Sequence, residues 1–308
     1  MPDPFKITFC GDTSLGYFYL EKSKKKYPDA YERLQNEPFS FFEGVAPLLE
    51  GSDEVIVNLE TVLTRTPGDP IAGKEYPGFD DPDVTIEMLK KLGVTAVMLA
   101  NNHAMDFGED AMVKMIDLLH ANDIATIGAG RTLAEARKPY VITLPDSGRK
   151  VHVINGMRAT KRYIAYGFFA EKEKPGIRRT HFAAVKKQIE RIKTEDPEAI
   201  VVVSPHWQGV DYRDVGDAMK EWCRKVVDAG ADIVIAHGSH KKDEVEEYAG
   251  KMIYYSIGNF VFNSPGRYKK MNAEPLSTVV TLHPETLESV GTDTHTDNKA
   301  TGFKVTPA

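Results

Sequence analysis

Short apolar runs recur along the chain, each closed by polar residues and followed by a segment with helical spacing. Lys6–Cys10 (KITFC) reads as a strand stopping at Gly11-Asp12. Glu54–Asn58 (EVIVN) reads as a second strand, ending in Asn58-Leu59-Glu60. Pro82–Leu92 carries a helix-start signature and apolar residues at helical spacing, and leads through Gly93 into the strand Ala96–Ala100 (AVMLA). Helix and strand then alternate: helices over Asp110–Ala121, Thr180–Glu195 and Asp217–Ala229, with strands over Ala125–Gly128, Lys150–Asn155, Ile200–Ser204, Ile233–Ala236 and Lys251–Ser256. The strands are near-continuous apolar runs, so both faces of their sheet are expected to be covered, in an α/β fold. Two segments break the alternation, at about 17–44 and 156–179, and read as insertions into a single domain spanning 1–308. The tail after about residue 264 reads as irregular, with one strand candidate at Thr278–Leu282.

Composition narrows the class. The 308 residues are 42% hydrophobic and 27% charged, with a net charge of −6, which excludes wholesale disorder. No run of ~18 apolar residues appears, so no membrane span or membrane partner is expected. The first residues lack a signal-peptide apolar core, and two cysteines, Cys10 and Cys223, make no disulfide framework and read as buried thiols. A cytoplasmic protein is the expectation.

Polar clusters fall just past five strand ends: Asp12, Asn58/Glu60, Asn102/His103, His206 and His237/His240. Open α/β sheets bind ligands beyond the carboxyl ends of their strands, so these clusters are expected to converge on one site. Any one of these histidines alone reads as a structural group.

At these residues the sequence resembles the CapA family, the poly-γ-glutamate capsule synthesis proteins. The matching pieces are Phe9-Cys-Gly-Asp12, Val57-Asn-Leu-Glu-Thr61, Leu99-Ala-Asn-Asn-His-Ala-Met-Asp-Phe-Gly108, Pro205-His-Trp207, Gly230-Ala-Asp-Ile-Val-Ile-Ala-His237 with His240, and Tyr254-Tyr-Ser-Ile-Gly-Asn-Phe-Val-Phe262. The resemblance implies a calcineurin-like metallophosphoesterase fold, a β-sandwich flanked by helices with a divalent-metal site at one edge. Three departures bear on chemistry. Ser14 stands where a two-metal phosphoesterase has the histidine of Asp-x-His. Asn58-Leu59-Glu60 replaces a metal-bridging aspartate. Ala236-His-Gly-Ser-His240 lacks one histidine and the proline of the fifth motif. Two-metal catalysis needs shared ligands holding ions ~3.5–4 Å apart. The expectation is therefore one divalent ion, Ca²⁺, Mn²⁺ or Mg²⁺, held among Asp12, Asn58, Glu60, Asn102, His206 and His240, with no organic cofactor.

Acid–imidazole pairs remain. From motif position His103 is expected to face Glu60, and His237 to face Asp12, each carboxylate fixing its ring's tautomer. Asp12, His103, His237 and His295 are the catalytic candidates. His295 enters through Thr292-Asp-Thr-His-Thr-Asp297, whose spacing suggests a segment folding back toward the site. Asp106 alternatively caps the helix near Glu109, and Asn101 and Asn259 alternatively serve as turn residues.

Charge is uneven. Residues 158–193 hold eleven Lys/Arg against Glu171, Glu173 and Glu190, a local +8. Aromatics are interleaved, and Arg158, Arg162, Arg178, Arg179 and Trp207 are the candidate substrate contacts, with arginine forks suited to carboxylates. The acidic remainder of the chain argues against nucleic acid and for an anionic peptide or polyglutamate partner. Lys22 and Lys24–Lys26 read as solvated surface. Some CapA-like proteins resemble tailoring enzymes of ribosomal peptides. The primary expectation is therefore a metal-dependent epimerase acting at a peptide Cα in lasso-peptide biosynthesis. The alternatives are hydrolysis or transfer on poly-γ-glutamate, a metallophosphoesterase, and a polymer-binding module without activity.

Overall fold

Continuous apolar strands need cover on both faces, and the fold supplies it with four layers. The computed structural model describes residues 4–207, 212–264, 267–271, 276–299 and 302–307, without the side chains of 268, 269, 295–299 and 302–307. A first sheet runs in the order Gly302–Pro307, Glu288–Lys299, Leu276–His283, Asn259–Phe262, Ile7–Ser14, Glu54–Leu59, Ala96–Met98, Ala125–Ile127. A second runs Val245–Tyr248, Lys251–Tyr254, Ile233–Ile235, Ile200–His206, Lys150–Met157, Tyr140–Thr143. The strands that alternate with helices pair in parallel, and antiparallel partners flank them.

Strand alternation divides the core. Ile7, Phe9, Ile56 and Met98 from the first sheet meet Val151, Val153, Val202 and Ile235 from the second, so the two sheets pack face to face. The neighbouring positions Cys10, Val55, Val57 and Val97 point outward against Leu89, Met112, Met115 and Ile116 of helices Pro82–Lys91 and Gly108–His120. On the opposite side Ile154, Val201, Val203 and Val234 meet Val185 and Ile189 of helix Phe182–Glu195 and Cys223 and Val226 of helix Asp217–Asp228. Each such aliphatic side chain gains ~1.5–3 kcal/mol on burial. The architecture is the expected α/β sandwich flanked by helices. Local signals set the helix starts: Asp81 accepts from the backbone N–H of Asp83 and Val84, both at 3.0 Å, with Pro82 at the first helical position.

One expectation changes, that of an irregular tail, although its strand candidate Thr278–Leu282 does fall in strand Leu276–His283. The tail is regular: Leu276–His283, Glu288–Lys299 and Gly302–Pro307 form an antiparallel extension of the first sheet. The 17–44 segment folds into helices Tyr17–Ser23 and Pro28–Asn36, and its Leu20, Ala30, Leu34 and Phe41 join the outer core of the first sheet. Its Lys22 and Lys24–Lys26 are exposed, as expected, and Lys22, Lys24 and Lys26 lie over the rings of Phe18, Tyr31 and Tyr27. Residues 156–179 likewise send Phe168, Phe169 and Ile177 into that core. Cys10 and Cys223 are buried free thiols, and burial pushes both up in pKa. Among the described residues no helix is long and apolar enough to cross a membrane.

Candidate metal centre

The polar clusters meet at the carboxyl ends of the parallel strands of both sheets. Asp12 lies where strand Ile7–Ser14 bulges, between Cys10 and Asp12 on one side and Asp12 and Thr13 on the other. The bulge needs Gly11: a Cβ there would stand 2.3 Å from the Gly258 carbonyl oxygen. That carbonyl instead accepts the Asp12 N–H at 2.8 Å, bringing the Gly258-Asn259 loop to the site. Across the sandwich, His206 and His237 form a bridge, with Trp207 N–H donating to the His237 carbonyl at 2.8 Å. Gly238 follows with φ 108, and a Cβ there would lie 2.8 Å from the Trp207 carbonyl oxygen. His240 itself holds a left-handed φ of 59, a strained conformation that turns its ring into the site.

Asp12, Glu60 and His206 each present one donor atom, and the three atoms lie within 4.8 Å of one another, all buried. Two carboxylates and one imidazole form a donor set fit for a single divalent cation. Asn58 Nδ2 donates to Asp12 Oδ1 at 2.6 Å, and Asn58 Oδ1 accepts from Asn101 at 3.3 Å. Asn102 Oδ1 bonds His206 Nε2 at 2.7 Å. Asn58 and Asn102, expected among the ligands, thus lie against the donor residues Asp12 and His206. His240 stands between, with Nδ1 at 3.1 Å from Asp12 Oδ2 and 3.0 Å from Asn259 Oδ1, and Nε2 at 3.7 Å from Glu60. His237 Nδ1 is 3.4 Å from Asp12 Oδ1, while its buried Nε2 has no hydrogen-bond partner. Burial raises the Asp12 pKa, but the hydrogen bonds of His237 and His240 and the charge of nearby imidazoles overcome it and hold the carboxyl well below its usual range. Burial pushes His206 down to about 3. Both therefore stand at neutral pH in the forms that ligate metals.

His103 faces Glu60 at 3.8 Å, but its closer partner is Asp106, at 2.7 Å from Nδ1. Asp106 does not cap the following helix, whose start at Phe107 has no side-chain cap. It is fully buried and also meets Lys74 at 2.8 Å and the Gly78 N–H at 2.8 Å. His103 is pushed down by burial and by the Lys74 charge, against the pull of Asp106. Asn101 is a turn residue, with Oδ1 accepting from the N–H of His103 and Ala104, both at 3.0 Å. Ser14 donates to Asp80 at 2.9 Å, so the residue in the missing histidine's place is tied into the loop scaffold.

A cleft of about 580 Å³ opens over this centre. Asn102, His103 and His240 line it, as do Arg158 and Arg162. Arg158 also lies over the ring of the nearly buried Trp207, 4.9 Å from its centroid. Arg178 and Arg179 do not reach it: Arg178 is 2% exposed, and Arg179 lines a separate cavity, lying over Phe169. His295 pairs with Leu276 on strand Glu288–Lys299, and its side chain lies outside the described residues. The sequence reading missed Lys74, Tyr212, Arg213 and Arg267, all lining the cleft. Lys74, Tyr212 and Arg213 sit in loops or turns and Arg267 opens the short helix Arg267–Met271, so only the fold brings them over the strand ends.

The profile of the family described as bacterial capsule synthesis protein PGA_cap matches residues 6–264. The PGA biosynthesis protein CapA of Bacillus subtilis (strain 168) is 31% identical over 266 residues, covering 85% of this chain and 64% of that relative. A probable polyglutamine synthesis accessory protein of Mycobacterium tuberculosis is 26% identical over 220 residues, covering 70% of this chain and 57% of that relative. The chain thus spans about three fifths of these relatives' length. A crystal structure of a Thermus thermophilus protein, 10% identical, aligns over 94% of this chain and 98% of that one with a TM-score of 0.43.

Proposed function

The chain belongs to the PGA_cap family of bacterial capsule synthesis proteins, and from that premise we propose that it is a metal-dependent enzyme that hydrolyses or transfers the γ-glutamyl amide of polyglutamate. The observation that carries this reading is the placement of the Asp12–Glu60–His206 donor set beneath a cleft that, among the described residues, is lined by Arg158, Arg162, Arg213 and Arg267 against Glu75, with Lys74 already paired to the buried Asp106. A γ-linked polymer leaves one α-carboxylate per unit. Guanidinium forks spaced along a cleft suit that pattern.

A divalent ion held by Asp12, Glu60 and His206 would polarise the amide carbonyl and acidify a water. Arg158 and Arg162 would fix the flanking carboxylates and so the register of the scissile bond. Asp106, accepting from His103 Nδ1–H, leaves Nε2 of that ring as a proton acceptor facing the cleft. Nε2 would take the proton from the attacking water, or from an acceptor amine in the transfer reaction, and return it to the departing amine nitrogen. Peptide epimerisation, the primary expectation from sequence, is set aside. The relatives' names refer to polymer synthesis, and His237, one of the candidate bases for it, is buried.

One experiment separates these outcomes. The protein is incubated with poly-γ-glutamate and Mn²⁺, Mg²⁺ or Ca²⁺ in D₂O, with and without an acceptor amine, and products are sized and weighed. Shortened chains or amine adducts that vanish with chelator are expected. Unchanged chain length under every metal overturns the proposal, and deuterium at Cα without shortening would restore epimerisation.

A further inference from the structure

A second basic cavity, of about 370 Å³, lies apart from the metal cleft between helix Leu133–Arg137, the loop around 171 and the start of helix Phe182–Glu195. Arg137, Lys172, Arg179 and His181 line it, against the carboxylate of Glu171. The 14-residue helix begins at His181 with no side-chain cap and no acid in its first turn, so its positive end is uncompensated there.

Arg178 adds an independent observation. Its side chain runs over Gly156, with Cγ and Cδ 3.5 and 3.6 Å from where a Cβ would stand. Gly156 lies two residues along its strand from Ile154, which packs against that same helix. Arg178 is therefore buried, 2% exposed, on the face of the sheet that this helix covers. No acidic side chain among the described residues forms an ion pair with Arg178. The charge it meets is that of Arg137, and burial, with that repulsion, pushes it down to about 10. Buried charges are ordinarily paired. A buried arginine beside a second arginine and an uncapped helix start is a configuration that an anion completes.

We propose that this cavity is a second anion site, taking a carboxylate or phosphate group between Arg137, Arg179 and the start of helix Phe182–Glu195, with Arg178 supplying buried positive charge behind it. The site rests on charge and burial alone and does not depend on the reaction assigned to the cleft.

The test uses the full chain stripped of divalent ions, with two of the four cleft arginines replaced by Arg158→Gln and Arg162→Gln. Binding of inorganic phosphate and of a short γ-linked glutamate oligomer is measured by calorimetry, before and after adding Arg137→Gln with Arg179→Gln. Those two exposed changes are expected to weaken binding by about tenfold or more. The tighter of the two probes identifies the source of the anion. A second variant guards against a folding artefact. Arg178→Met is expected to raise the ligand-free Tm by roughly 2–4 °C and to abolish the rise that the anion gives. Binding of neither probe, binding untouched by Arg137→Gln/Arg179→Gln, or a fall in Tm for Arg178→Met would each overturn the proposal. Failure of polymer cleavage would leave it standing.

Discussion

Asp106 shows how one residue couples stability to the centre. Its carboxylate joins Lys74, 3% exposed, to the His103 ring and closes the Gly78 loop. Breaking a buried pair leaves a buried charge uncompensated, at a cost of ~3–5 kcal/mol, whereas replacing both partners can be nearly neutral. Asp106→Asn is therefore expected to lower unfolding free energy by about that much, and Lys74→Met/Asp106→Asn to recover most of it. Neither variant restores the carboxylate on His103 Nδ1, so polymer cleavage should stay depressed by ~10–100-fold in both. Urea unfolding beside turnover assays checks this. If the double variant recovers activity with stability, Asp106 is a scaffold residue and does not position His103. Gly11 makes a sharper steric case. Gly11→Ala places a methyl group against the Gly258 carbonyl and must push Asp12 from its strand partner Asn58. Metal affinity is expected to fall by about tenfold or more, read by titration with Mn²⁺; unchanged affinity would contradict the close approach.

At the scale of elements, Asp232 ties three of them together. It precedes strand Ile233–Ile235, accepts from Lys193 at 2.7 Å on helix Phe182–Glu195 and from the Val201 N–H at 2.9 Å, and meets Lys251 at 2.9 Å on the neighbouring strand. Burial raises its pKa, but these three donors outweigh burial and hold it below the usual carboxylate range. A depressed folded pKa stabilises the fold above the unfolded value of ~3.9 and loses that contribution as pH falls through the folded value. Asp232→Asn should thus cost about 2 kcal/mol at pH 7 and progressively less below pH ~4, as urea titrations at both pH values would show. The elements so tied were legible in the sequence because their strands are unbroken apolar runs between helices such as Phe182–Glu195, with Val185, Ile189 and Ile192 on one face. Of the tail, only Thr278–Leu282 was. The polar Thr292–Asp297 segment forms strand by pairing with Leu276–His283 on one side and Gly302–Pro307 on the other, contacts that local periodicity does not carry. The site was legible at Asp12, Glu60, His103 and His206 because each lies at or just past the carboxyl end of an apolar strand. It was illegible at Lys74, whose burial comes from a loop folded over Asp106.

For the whole molecule, net charge and local charge make opposite predictions. A chain of −6 should repel polyglutamate at long range, yet among the described residues the cleft sets four arginines against Glu75, Lys74 being already paired with Asp106. Which wins depends on distance. At ~0.1 M salt the Debye length is ~10 Å, so acids on distant faces are screened from a polymer in the cleft, while the lining arginines act within contact range. Among the described residues Arg162 is held by Glu75, at 2.9 Å, with both side chains more than half exposed. Such a surface pair is worth ~0–1 kcal/mol, so Arg162 can exchange Glu75 for a substrate carboxylate at small cost. Polymer binding is therefore expected to be favourable despite the acidic average and to weaken on the order of tenfold between ~0.05 and ~0.5 M NaCl. Arg158→Gln/Arg162→Gln should lower the affinity at low salt and flatten the dependence, because fewer contacts are left to screen. Fluorescence anisotropy with labelled poly-γ-glutamate across a salt series measures both. Affinity independent of salt, or a slope unchanged by the double variant, would mean that the polymer does not engage the protein through these arginines.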